Sequence, residues 1–179
     1  MTVMDKMNAG TRMVFNSVFD KEPINFMESA ALYSTVATGR YNLAMLEVMY
    51  NHAVDPDLRE LVKQAIDEQS RHTVNDAETL IKRGGGQEPS QHLKRRELHH
   101  QALNIPADAK LTDREIAMTL VMFAKFTQVA VLGALQQCYQ LELAKMFRDR
   151  LDSGLDYNYR LMQLMLNKGW LPFLEKVEH

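Results

Sequence analysis

Residues 82–116 read KRGGGQEPSQHLKRRELHHQALNIPADAKLTDREI, and this stretch decides the fold. Lys82 and Arg83 suit a helix end, where cations meet the negative end of the helix dipole. Gly84-Gly85-Gly86 then stops that helix, because glycine enters the left-handed closing conformation without a Cβ penalty. Thr112-x-x-Glu115 ahead of an apolar run is a capping box that opens the next helix. The link between them, Gly84 to Leu111, far exceeds the roughly 2–8 residues that join neighbouring bundle helices. It is a crossover, with room for a short helix near Ser90–Leu103.

Upstream, Met27, Ala30, Ser34, Ala37, Tyr41, Ala44 and Val48 recur at steps of three and four, the mark of a helix. Leu32, Val36, Gly39, Leu43, Leu46 and Tyr50 form a second apolar line, and Ala37, Thr38 and Gly39 permit close helix approach. Asp55-Pro56 pairs an N-cap with a residue whose fixed φ suits the first helical position. Downstream, no Gly or Pro is met between Gly133 and Gly154. A single helix running to Ser153 would be about 63 Å long, so length matching places a break near Cys138–Leu141. Gly169, preceded by Lys168 and followed by Trp170 and Pro172, closes the last helix. The predicted organisation is a lead over residues 1–24 with room for a short helix, a bundle over 25–172, and a tail over 173–179. Its helices cover about 25–53, 56–83, 113–138 and 141–168, with the crossover at 84–112. Short loop, long crossover, short loop is the ferritin-like variant of the all-α four-helix bundle.

Composition agrees. The chain has 179 residues, 46% hydrophobic and 25% charged, with only 8 Gly and 5 Pro. That excludes disordered and collagen-like classes, and the lone Cys138 excludes a disulfide scaffold or zinc cluster. The net charge of −2 supplies no overall attraction to nucleic acid. The early charges Asp5, Lys6, Arg12, Asp20 and Lys21 leave no signal-peptide core, so a cytoplasmic location is expected. Ile116–Leu135 is long enough to span a bilayer, but Lys125 near its centre would cost at least about 2.5 kcal/mol there. A buried helix, not an integral membrane protein, is expected.

A di-iron or di-manganese bundle needs Glu from two helices and Glu-x-x-His from each of the others. The residues three before the six histidines are Met49, Gln69, Pro89, Arg96, Glu97 and Lys176. Only Glu97-x-x-His100 fits, and it lies in the crossover. The standard site is absent, and no cofactor is expected. On the second helix Leu58, Leu61, Val62, Ala65 and Leu80 mark the core face. Gln69, His72 and Asp76 fall on that face, with Glu68 at its edge. Against Ser34, Thr38 and Tyr41, and with Gln128, they predict a buried polar layer that fixes register. If any metal binds, Glu68, His72 and Asp76 are the candidate ligands.

Asp149, Asp152 and Asp156 fall away from Phe147 and Leu151, on a solvated face. Glu47 has no partner carboxylate and reads as structural. Lys94, Arg95 and Arg96, among His92, His99 and His100, form a candidate anion patch that Glu88 and Glu97 dilute. It lacks the interleaved aromatics of a nucleic-acid surface. The third helix is apolar nearly all round, so one side needs a cover: a homodimer interface, or else burial under the crossover or the Met13–Phe19 stretch.

Landmarks recur in order: Glu22-Pro23, Asn51-His52, Asp55-x-Asp57-Leu58, Ile105-Pro106-x-x-Ala109-x-x-Thr112-Asp113-x-Glu115-Ile116-Ala117, Met146-Phe147, and Lys168-Gly169-Trp170-Leu171-Pro172. Together they resemble a family of uncharacterised ferritin-like bundles from spore-forming bacteria, likened to spore coat protein F. The resemblance implies the same fold and a role connected with sporulation or the spore surface. It transfers no catalytic residue. The basic crossover and the longer lead depart from that pattern. The expected function is a non-enzymatic structural or interaction protein. A metal-dependent oxidoreductase or metal-binding protein is the alternative, and an anion or acidic-partner binder the third.

Overall fold

The computed structural model describes Thr11, residues 24–101 and residues 103–171. Apart from Thr11 and Ile24, the predicted lead lies outside the described residues, as do Pro172 and the tail. Among the described residues the chain is all-α: α1 (Phe26–His52), α2 (Pro56–Glu68), a π-helical segment (Gln69–Asn75), α3 (Asp76–Arg83), α4 (Asp113–Gln136) and α5 (Leu141–Asn167). The π segment joins α2 to α3 without interruption, so four bundle helices form two hairpins, each packed more closely within itself than on the other.

Local chemistry sets the helix ends. Asn25 and Glu28 form a reciprocal capping box on α1, with bonds of 2.9 and 3.0 Å. The Asp55 carboxylate accepts from the amides of Asp57 and Leu58, both at 3.0 Å, with Pro56 in the first turn. Thr112 and Glu115 cap α4 in the same reciprocal way. After α3, Gly85 at φ 75° lets the Gly86 amide reach Ile81 O at 3.0 Å. Gly169 at φ 67° closes α5 likewise, with the Trp170 amide on Met165 O at 2.9 Å. Both are closures in which backbone amides satisfy the last carbonyls of a helix.

The expected short helix near Ser90–Leu103 is not formed among the described crossover residues. Side chains of the first hairpin hold that backbone instead. Asn51 donates to Glu97 O at 2.8 Å and accepts from the His99 amide at 2.9 Å. Arg59 donates to the carbonyls of His99 and His100, and Arg40 to those of Pro89 and Gln91. Arg40 also pairs with Glu78 and Glu88. These bonds take up polar groups that a helix would have satisfied internally.

The second bundle helix departs from a plain α-helix where the polar layer is expected. A continuous α-helix would turn Gln69, His72 and Asp76 toward α1. The π segment's wider turns advance the phase by about one residue, so the buried positions run Leu58, Leu61, Val62, Ile66, then Val74, Ala77, Leu80 and Ile81. Apolar Val74 and Ala77 turn inward, while His72 and Asp76 turn out. Gly39 makes this fit possible: a Cβ there would lie 2.7 Å from Val74 Cγ2 and 2.8 Å from Gln69 Nε2.

The hairpins are clasped at both ends. At one end buried Glu28 accepts from the amides of Tyr139 and Gln140 at 2.8 and 2.7 Å, and Arg83 pairs with Glu142 at 2.9 Å. At the other, the Asp113 carboxylate accepts from the amides of Val54 and Asp55, and Lys168 bonds Asp55 at 2.6 Å and Asp57 at 3.1 Å. The hydrophobic core thickens toward these ends, with Leu32, Leu143 and Phe147 on one side and Leu58, Ile116, Leu161 and Met165 on the other. α4 is long and apolar enough to cross a membrane, yet its inner face, Ile116, Ala117, Leu120, Val121 and Val131, is buried in the bundle.

Candidate functional site

Between the clasped ends the hairpins stand apart around a cavity of about 990 Å³, bordered by α1, α2, the π segment, α4 and α5. One wall is apolar: Ala31, Leu120, Phe123, Phe126 and Val131. Small residues of both α1 and α4, Ala30, Ser34, Ala130 and Gly133, are also among those that border it. The other wall carries Gln69, Gln128, Arg150 and Tyr157.

Arg150 is the chemically distinctive group. From α5 its Nε donates to His72 O at 3.0 Å, and its Nη2 to the carbonyls of His72 and Thr73 in the π segment. Its Nη1 is buried without a hydrogen-bond partner. Burial lowers the guanidinium to about 10, against the opposing pull of Asp76 and Glu68, so it stays cationic at neutral pH. The Tyr157 hydroxyl donates to Leu61 O at 3.2 Å, and burial raises its pKa above the ordinary tyrosine range. Gln128 donates to Gly154 O at 2.8 Å, which binds α4 to α5. Cys138 bonds Ala134 O at 3.2 Å; burial, and then the charge of Glu28, push its thiol up to about 11, where it is a poor nucleophile at neutral pH.

Of the predicted polar layer, Ser34, Thr38, Tyr41, Gln69, His72 and Gln128 border this cavity, and Asp76 does not. The layer is not a closed, buried one, because Ser34, Thr38, Tyr41, His72 and Asp76 are exposed. The phase advance of the π segment and the gap between hairpins account for that. Glu68, His72 and Asp76 have no common focus. His72 Nδ1 and Asp76 Oδ2 are 4.0 Å apart on an exposed face, and among the described residues no three His, Cys, Asp or Glu side chains converge as metal ligands. This donor set does not fit a metal centre.

The candidate anion patch is likewise divided. Arg95 turns onto the buried carboxylate of Glu47, which also accepts from the Arg96 amide at 2.6 Å. The Arg96 guanidinium donates to Ala44 O at 3.2 Å, leaving Lys94 as an exposed neighbour. Sequence reasoning passed over Glu28 and Arg150. Glu28 carried one signal, an acid three residues after Asn25. Arg150 sits between Asp149 and Asp152 and reads as one more residue of a solvated face.

A four-helix bundle holding an amphipathic cavity between two hairpins is the class of protein that this fold and site define. The chain belongs to the family described as Protein of unknown function (DUF3231), whose model matches residues 13–173. It is similar to the uncharacterized protein YvdQ of Bacillus subtilis strain 168, 25% identical over 152 residues that cover 84% of this chain and 86% of that one. Its fold matches the crystal structure of a Bacillus halodurans C-125 protein described as a putative spore coat protein. That match has a TM-score of 0.80 at 23% identity and covers 88% of this chain and 98% of the other.

Proposed function

We propose that this protein is a non-catalytic structural component associated with sporulation or the spore coat, and that it assembles by pairing two copies through α4. The observation that carries the reading is the outer face of α4. Met118, Met122, Val129 and Leu132 recur there at helical spacing and are exposed, Val129 by 72%. Lys125 lies among them with a long aliphatic stem that can lie along such a face and keep its charge in water. A two-fold axis beside α4 would bring the stripe against itself, the self-complementary contact of a cyclic dimer. The description of the Bacillus halodurans relative supports the spore association.

Sedimentation equilibrium of the whole chain at micromolar concentration tests the pairing. A dimer that Met122→Glu with Val129→Glu converts to a folded monomer is the expected result. A monomeric wild type, or a dimer indifferent to both charges, would overturn it.

A further inference from the structure

We propose that the cavity between the hairpins is a binding site for a single-chain amphipathic anion, its acyl chain along the α1–α4 wall and its carboxylate at Arg150. Three observations carry this. The first is size and place. A cavity of about 990 Å³ lies at the upper end of the roughly 300–1,000 Å³ common for ligand pockets, which in bundles form between helices.

The second is that bulky side chains do not force the gap. Small residues of α1 and α4 border it, and a Cβ at Gly133 would meet nothing within 4 Å. Of the apolar groups that border it, Phe126 is 68% exposed and Phe123 is only partly buried. An acyl chain would take them out of water.

The third is charge. Arg71, Arg150 and Arg160 border the cavity against Asp67 and Glu68, and Asp67 is already paired with Lys63. Arg150 is anchored through one edge, Nε and Nη2, on the π-segment carbonyls. Among the described residues its Nη1 has no partner and is shielded from solvent, so a side-chain shift that turns it to the cavity would offer one donor to an oxygen acceptor. A cation could not satisfy that donor, and a carboxylate would do so through a charge-assisted bond stronger than one to a neutral oxygen.

Isothermal titration of the full chain with dodecanoate, and separately with dodecanol, tests the site. The expected result is one dodecanoate per chain, with dodecanol at least tenfold weaker because it lacks the charged head. Gly133→Trp, which projects into open space and gains helix propensity, should weaken dodecanoate at least tenfold while leaving the circular dichroism spectrum intact. Arg150→Gln should bring dodecanoate down to the affinity of dodecanol. If that variant fails to fold, the comparison of the two probes on wild type reads the same head contact. Absence of saturable dodecanoate binding overturns the proposal, as would happen were another part of the chain to fill the cavity. Equal affinity for the two probes, or binding untouched by Gly133→Trp, overturns it too.

Discussion

Glu47 keeps its carboxylate buried on α1, where it accepts from the Arg95 guanidinium and the Arg96 amide. A carboxylate taken out of water needs such partners, and each hydrogen bond to a charged group is worth about 1.5–3 kcal/mol. Arg95 is half exposed and can recover water contacts, which places the loss at the lower end. Glu47→Ala should therefore destabilise the protein by about 3 kcal/mol and release the crossover near His99 to faster amide exchange. Lys94→Ala, one residue from the same ion pair but exposed, should stay within about 0.5 kcal/mol. Urea unfolding of both variants checks the contrast, and equal losses would contradict it. In sequence Arg95 is one of three adjacent cations and Glu47 an isolated acid. Their pairing spans 48 residues and follows from where the crossover lies down, which no local pattern contains.

At the scale of the element, helix limits were legible because they are local chemistry. Asp55-Pro56, Thr112-x-x-Glu115 and the glycines at 85 and 169 act within a few residues of themselves. The π segment was not legible in the same way. Its trace is a slip in apolar spacing from Ile66 to Val74, which becomes informative only once α1 is known to pack against it. That packing rests on Gly39. Gly39→Ala would gain up to about 1 kcal/mol of helix propensity. Against this, the new Cβ would displace Val74 Cγ2 and the Gln69 amide, an overpacking cost of typically about 1–3 kcal/mol. The expected net effect is a loss of about 1 kcal/mol, measured by urea unfolding. Adding Val74→Ala should relieve the clash, so the two substitutions together should cost less than the sum of each alone. Simple additivity would show that the close approach is not what selects glycine there.

The molecule as a whole is two hairpins tied at their ends around an open middle, and its stability should respond to the ties. The four-helix order follows from helix lengths and crossover, but the cavity depends on contacts between the hairpins that no periodicity records. Asp55 illustrates the consequence. Partial burial raises its pKa, yet Lys168 and the amides of Leu58 and Asp57 together outweigh that and hold the carboxyl below its ordinary range. A carboxyl with a folded pKa below its unfolded value of about 3.9 stabilises the fold above that pH. The contribution is lost as pH falls through the folded value. Lys168 is shifted the other way, raised chiefly by its bond to Asp55, so its contribution persists until strongly alkaline pH. The tie should therefore hold across the neutral range and fail first in acid. Urea midpoints of wild type and Lys168→Met should differ at pH 6, and the difference should shrink as pH falls below about 4 toward the lowered folded value of Asp55, where the carboxyl takes up its proton in wild type as well. A difference that persists unchanged at pH 3 would mean that the Lys168 stem, packed at the hairpin end, stabilises the bundle without its charge.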